Sequence, residues 1–132
     1  MKSFKNVALT GRKGAALKVV TPNDEMGEPD LRELLPYDLL VSAGMNFPPT
    51  DDRGQPQAYS TLRTRDEFLD SVEEQEGADE IVIKNAQWNI IEASFDRYVK
   101  MNWTLHANYI KDQFDELISD VEDPESKPEK EG

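Results

Sequence analysis

The sequence predicts an α+β fold in which a small β-sheet packs with three to four helices. The first observation is the β-branched run of Ile81, Val82 and Ile83, which is typical of a short strand packed on more than one side. The second is the apolar period of three to four residues after this run, which indicates an amphipathic helix. The third is a pair of apolar segments near the N-terminus that flank two glycines and predict a β-hairpin.

The hairpin is predicted over residues 4–20. Gly11 and Gly14 are expected to supply the positive φ angles of a tight turn. Arg12 and Lys13 give this turn some likeness to a phosphate-binding loop, but the spacer of that motif and its Gly-Lys-Ser/Thr ending are missing. A structural turn is therefore the main interpretation, and an anion site is the alternative. The apolar residues of the two arms are Val7, Ala8, Leu9, Leu17, Val19 and Val20.

Residues 30–44 predict a leucine-rich helix, with Asp30 as its cap and Gly44 as its C-terminal stop. Pro36 interrupts this helix because proline lacks an amide donor and clashes with the preceding turn. We expect either a helical turn before Leu35 and a helix from Pro36, or one kinked helix. The apolar stripe consists of Leu31, Leu34, Leu35, Leu39 and Ala43.

Residues 45–60 form the longest irregular stretch and hold three prolines and one glycine. Loops of this length in a compact domain are usually functional or disordered. Asp51 and Asp52 are adjacent, but the alternating oxygen ligands and terminal glutamate of a calcium loop are missing. Phe47 and Tyr59 are expected to anchor the loop to the core.

An acidic helix is predicted next, with a capping box at Thr64 and Glu67 and an end near Gly77. Residues 66–80 hold eight acids and no base. This run is either a solvated helix face or a docking surface for a basic partner. The residues expected to face the core are Phe68, Leu69 and Val72.

Residues 80–100 are predicted to form the centre of the fold, as a strand followed by a helix capped by Asn85. Trp88, Ile91 and Phe95 are expected in the core. A last amphipathic helix is predicted from a cap at Thr104. Its apolar stripe consists of Leu105, Tyr109, Ile110, Phe114, Leu117, Ile118 and Val121. Residues 1–120 are predicted to be a single α+β domain, and residues 121–132 a disordered acidic tail, because that segment has two prolines and few apolar residues.

The charge of the chain restricts its partners. The 132 residues carry a net charge of −12, which argues against direct nucleic-acid binding and against anionic membrane surfaces. The positive charge is concentrated near the N-terminus, where residues 1–20 hold five bases and no acid. There is no cysteine for disulfides or thiolate zinc sites, no apolar run long enough for a transmembrane helix and no secretory signal pattern. We expect a cytoplasmic protein, in the host cytoplasm if the protein is viral.

The residues give no pattern for catalysis. His106 is the only histidine, and none of the serines lies in a nucleophile elbow. Carboxylates are so abundant that no one pair is informative. We therefore predict that the protein is not an enzyme, with no catalytic, cofactor-binding or metal-binding residues. A small metal-dependent hydrolase with a carboxylate site is kept as an alternative.

The order of predicted elements resembles that of small, largely uncharacterised proteins encoded by tailed phages and prophages. In those proteins a segment like residues 79–84 likewise leads into a helix like residues 86–99, followed by a final helix like residues 105–117. The resemblance covers about residues 30–118 and is one of pattern, without a diagnostic motif. It implies a viral origin and no catalytic residues.

We therefore predict a non-catalytic phage accessory protein that binds and modulates another protein of the host or the phage. A compact acidic surface can imitate the phosphate array of DNA, so a host nucleic-acid enzyme is one candidate partner. The alternative is a virion structural or assembly-chaperone protein that self-associates through its basic and acidic regions. The oligomeric state is left open. The residues predicted to bind the partner are Asp66, Glu67, Asp70, Glu73, Glu74, Arg12 and Lys13.

Overall fold

The computed structural model describes residues 1–21 and 30–121 of the chain. Their α+β architecture confirms the predicted fold class. Short 3₁₀ turns occur at Arg12–Gly14, here called the basic turn, and at Thr104–His106. The elements are β1 (Lys2–Lys5), β2 (Lys18–Thr21), β3 (Asp30–Glu33), α1 (Pro36–Met45), α2 (Tyr59–Glu74), β4 (Glu80–Ile83), α3 (Asn85–Asn102), α4 (Ala107–Leu117) and β5 (Ile118–Asp120).

The main sheet has three antiparallel strands in the order β4-β1-β5, and Ser3 lies opposite both Val82 and Ser119. Strands β2 and β3 form a separate antiparallel pair. The predicted hairpin over residues 4–20 is therefore wrong, since its two arms share only an isolated bridge between Thr10 and Ala16. The first arm pairs instead with β4 and β5, which are distant in the chain, and the second arm pairs with β3, the next strand.

The core surrounds an aromatic cluster under the main sheet. Phe114 is tilted against Phe95 and Phe4, with ring centroids 4.3 and 4.7 Å apart. Trp88 packs edge-on against Phe4 at 5.2 Å and is only 6% exposed. The expectation that Trp88, Ile91 and Phe95 are core residues is thus confirmed. The strand and helix predicted at the centre of the chain are also confirmed, as β4 and α3.

The region before α1 differs from its prediction. Residues 30–33 are strand β3, so Asp30 is not a helix cap. Leu35 is extended, at φ −116° and ψ 156°, because the residue before a proline avoids the helical region. Pro36 is the first helical residue, where its fixed φ fits and its missing donor costs nothing. Gly44 does not stop the helix, which continues to Met45.

Helix α2 begins at Tyr59, so the capping box predicted at Thr64 and Glu67 is wrong. Thr64 lies inside the helix and its hydroxyl donates to the Ser60 carbonyl at 3.0 Å. The helix ends at Glu74, slightly before the predicted Gly77. The segment between α1 and α2 is irregular, as predicted.

Two predicted anchors of that loop have different outcomes. Phe47 is half-buried and packs on the core, as expected. Tyr59 is 87% exposed, so its predicted role as an anchor is wrong. Phe68 and Val72 are fully buried, as expected, and Leu69 is half-buried against them.

The C-terminal part also departs from its prediction at both helix ends. Lys84, not Asn85, is the cap residue of α3, and Asn85 is the first helical residue. Thr104 lies in a 3₁₀ turn, and α4 starts only at Ala107. The predicted stripe continued to Val121, but residues 118–120 leave the helix and pair with the free side of β1. Leu105 is 69% exposed and is not part of the core. Beyond Val121 the predicted disordered tail lies outside the described residues.

Candidate functional site

The outer side of α2 carries the largest part of the predicted partner-binding set. Phe68 and Val72 anchor the opposite side of the helix in the core. At 3.6 residues per turn, the five predicted acids lie within an arc of about 120° on the solvent side. All five are exposed. We call this surface the acidic face; it consists of Asp66, Glu67, Asp70, Glu73 and Glu74.

Most of the acidic face is not neutralised by neighbouring side chains. Asp66 accepts a hydrogen bond from the Nε of Arg65 at 2.7 Å. Among the described residues, the other four carboxylates form no ion pair and accept no hydrogen bond. Asp70 lies three or four positions from each of the other four acids, and each such like-charge pair destabilises a helix by about 0.2–0.5 kcal/mol. This arrangement therefore weakens the isolated helix.

The charges also lie at the unfavourable end of α2. The C-terminal end of a helix carries a partial negative charge and is stabilised by basic residues. Helix α2 has no base in its last turn and no acid in its first turn, while Glu73 and Glu74 occupy the last turn. The distribution of acids is thus opposite to the one that helix stability favours.

A side-chain clamp fixes the C-terminal end of the acidic face to the main sheet. Gln75 follows α2 directly, and its Nε2 donates to the Val82 carbonyl at 2.9 Å. The Val82 amide donates back to the Gln75 Oε1 at 2.7 Å. The Gln75 amide thus takes the place of a neighbouring strand at the edge of β4. This clamp and the buried Phe68 and Val72 hold the acidic face in one position relative to the sheet.

The acids near the C-terminal end of α2 affect the pKa of Tyr37, which lies at the start of α1. Burial first, and then the negative charges of Glu76 and Glu73, raise the pKa of the Tyr37 hydroxyl. A negative neighbourhood disfavours the phenolate, since ionisation would add a further negative charge. The region around the C-terminal end of α2 is therefore electronegative.

A polar pocket of about 360 Å³ opens between the acidic face and the start of α3. Helix α2 contributes Glu67, Asp70, Ser71 and Glu74 to its walls, and the start of α3 contributes Lys84 and Gln87. Gln87 is only 6% exposed, and its Oε1 has no hydrogen-bond partner among the described residues.

The two basic residues of the predicted set lie on a different part of the surface. Arg12 and Lys13 are exposed in the basic turn. The Arg12 amide donates to the Nδ1 of His106 at 2.9 Å, which ties the turn to the connection between α3 and α4. A Cβ on Gly11 would lie 2.3 Å from that Nδ1, so only glycine fits there.

The backbone of the basic turn differs in part from its prediction. Gly14 has the expected positive φ, of 73°. Gly11 does not, since its φ is −106°, and Lys13 is the second residue with positive φ, of 60°. Gly11 is required for its close approach to the His106 ring and not for its backbone angle. The anion-site alternative at this turn stays a prediction.

The structure therefore divides the predicted set into two surfaces. It brings the five acids together on α2, which packs mainly on α1, α3 and β4. Within the described residues, no hydrogen bond or ion pair joins Arg12 or Lys13 to these acids. The sequence interpretation missed Gln87. Its position four residues before Ile91 places it on the buried side of α3, but that side also carries the buried Ser94, so a polar residue there was not by itself a signal of a site.

Within residues 1–21 and 30–121, no group of three or more His, Cys, Asp and Glu side chains is placed to hold a metal ion. No helix in that part of the chain is long and apolar enough to cross a membrane. Comparisons with protein-family models, curated proteins and solved structures find no match to this chain. The resemblance to phage proteins accordingly stays a prediction.

Proposed function

We propose that the protein is a non-catalytic accessory protein that binds a basic surface of another protein through the acidic face of α2. The observation that carries this proposal is the state of the acids. Four carboxylates lack a partner within the described residues and repel one another, and two of them, Glu73 and Glu74, lie at the helix end that disfavours acids. A basic partner would remove this repulsion, whereas the fold gains nothing from it.

The charge density of the face supports a nucleic-acid enzyme as the partner. From Asp66 to Glu74 the helix rises by about 12 Å, at 1.5 Å per residue, so it carries one charge per about 2.4 Å. Duplex DNA carries one charge per about 1.7 Å of its axis. The acidic face thus approaches the linear charge density of the ligand that such an enzyme binds. The phage or prophage origin belongs to the same proposal and rests on the resemblance of element order alone.

The separation of the basic turn from the acidic face supports a second candidate function. A surface that binds a different surface of an identical copy produces a head-to-tail contact, which closes into a ring or grows into a filament. Arg12 and Lys13 on one copy would then meet the acidic face of the next. This is the arrangement expected of a virion structural or assembly protein.

The first function is tested by affinity capture from lysate of cells in which the protein is expressed naturally. The α2-neutral variant D66N/E67Q/D70N/E73Q/E74Q removes the charge of the acidic face. A matched control, E33Q/D52N/E92Q/D112N/E116Q, removes five exposed acids elsewhere. We expect a partner that is captured by the wild type and the control and lost with the α2-neutral variant.

Equal capture by all three proteins, or equal loss with both variants, would contradict the proposal. Sedimentation of the purified wild type over a range of concentrations separates the second function from the first. Growth of oligomers that the R12A/K13A variant abolishes supports the head-to-tail contact. A monomer at every concentration removes it.

A further inference from the structure

The pocket beside the acidic face contains an unsatisfied buried amide. Gln87 lies in the first turn of α3, is only 6% exposed and lines the pocket. Its Oε1 has no hydrogen-bond partner within the described part of the chain. Buried polar atoms in proteins are nearly always hydrogen-bonded, so this oxygen, which is shielded from solvent in the unbound protein, lacks a donor.

The charges around this amide determine which donor fits. Glu67, Asp70 and Glu74 bring three negative charges to the pocket and Lys84 brings one positive charge. The N-terminal end of α3 adds the equivalent of about +0.5 charge. The balance is negative, so the pocket favours a cationic donor over a neutral or anionic one.

We propose that this pocket binds the guanidinium group of one arginine side chain of the partner. A guanidinium presents five N–H donors in a planar fork and has no acceptor, which suits a wall of three carboxylates and an amide oxygen. The Gln87 oxygen is shielded from solvent in the unbound protein, and rotation of the amide about its last side-chain bond, which exchanges Oε1 and Nε2, turns it toward the ligand. The inference rests on the proposed function and names the group that the acidic face recognises.

Arginine fits this pocket better than lysine does. A lysine ammonium has three donors and holds its water strongly, whereas a guanidinium is weakly hydrated and pairs with carboxylates through two parallel hydrogen bonds. Glu67 and Glu74 are separated by two helical turns and so approach the pocket from two ends. A planar fork can contact acceptors on more than one side at once.

The test is a titration of the ¹⁵N-labelled full chain followed by NMR. The probes are N-acetyl-arginine methylamide and, matched for charge and ionic strength, N-acetyl-lysine methylamide. We expect saturable shifts of the Gln87 side-chain amide with the arginine probe, and an affinity for the lysine probe at least about fivefold weaker. The proposal is overturned by unmoved Gln87 signals up to the solubility limit, by equal affinity for both probes, or by calcium chloride moving the same signals at lower concentration.

Two comparisons show where the arginine probe binds: the wild type against Gln87→Met, and Glu74→Gln against Glu73→Gln. Gln87→Met keeps the shape of the side chain but removes the acceptor, and should weaken arginine binding at least about fivefold without lowering the melting temperature. Glu74→Gln removes a carboxylate of the pocket wall, whereas Glu73→Gln makes the same change on the same helix outside the pocket. Weaker binding in E74Q with unchanged binding in E73Q supports the pocket; equal effects overturn it.

The pocket and the proposed function can fail separately. If the arginine probe does not bind but partner capture still depends on the acidic face, the pocket is overturned and the proposed function stands. If the probe binds as expected but the α2-neutral variant captures the same partner as the wild type, the pocket stands and its link to that partner is overturned.

Discussion

The start of α1 and the outer side of α2 use carboxylates in opposite ways. Asp38 lies in the first turn of α1, where the helix favours an acid. Its Oδ2 accepts hydrogen bonds at 2.9 Å from the Leu35 amide and from Arg32, and its Oδ1 pairs with the second nitrogen of that guanidinium. Glu73 and Glu74 lie in the last turn of α2 and form no such bonds within the described residues.

The difference separates charge that serves the fold from charge that is available to a partner. Asp38 pairs with the Arg32 guanidinium through two hydrogen bonds, and these bonds and the charge of Asp38 raise the pKa of Arg32. Within residues 1–21 and 30–121, the acidic face has no comparable internal partner apart from the contact between Arg65 and Asp66. Removal of a carboxylate should therefore lower stability at α1 and raise it at α2.

The largest effect is expected for Asp38→Ala. The substitution removes the side-chain acceptor for the Leu35 amide and leaves the Arg32 guanidinium without its partner. Loss of a helix cap and of a partly exposed ion pair should together lower the free energy of unfolding by about 1–3 kcal/mol. Urea unfolding followed by circular dichroism measures this change. An unchanged midpoint would show that Asp38 does not serve the fold.

A smaller effect of opposite sign is expected for Gln87→Met. In the unbound protein the buried Gln87 oxygen is unsatisfied, and an unsatisfied polar group costs about 1–3 kcal/mol. Replacement by a side chain of similar shape should raise the free energy of unfolding by about 1 kcal/mol. The same urea titration checks it, with Gln113→Met as the control. Gln113 bonds to Thr10 and Tyr109, so that control should lose stability.

The smallest effect is expected for Asp70→Asn. Asp70 is the acid that lies three or four positions from all the others of the acidic face. The four like-charge pairs share one exposed charge and are not additive, so removal of that charge should raise the free energy of unfolding by about 0.5 kcal/mol at low ionic strength. The gain should shrink in 1 M sodium chloride, because salt screens exposed charges. A loss of stability at low salt would mean that Asp70 has a stabilising role within the fold.

The parts of the fold that the sequence predicts are those in which local pattern and burial agree. β4 follows from the β-branched run, in which Ile81 and Ile83 are buried, and α3 follows from the buried stripe of Trp88, Ile91 and Phe95. The acidic face follows from the same helical period, because the five acids recur on the side opposite Phe68 and Val72. These features depend on residues close together in the chain.

The parts that escaped prediction depend on strand pairing and surroundings that a local pattern does not show. β1 pairs with β4 and with β5, whose residues 118–120 continue a helical pattern by sequence alone. Leu31, Leu34 and Leu35 have helical spacing, but Pro36 forces Leu35 to be extended, and residues 30–33 pair with β2 as a strand. The orphaned Gln87 could be identified only once its surroundings were known, since a polar residue on a buried side is usually hydrogen-bonded.

The most direct test of the account is the affinity of the captured partner for the wild type, the α2-neutral variant and the matched control. Isothermal titration calorimetry at low and high salt measures all three. We expect the α2-neutral variant to bind at least about a hundredfold more weakly, which corresponds to about 2.7 kcal/mol, and the control to stay within about threefold of the wild type. Equal weakening in both variants would show that the net charge of the protein, and not the acidic face of α2, binds the partner.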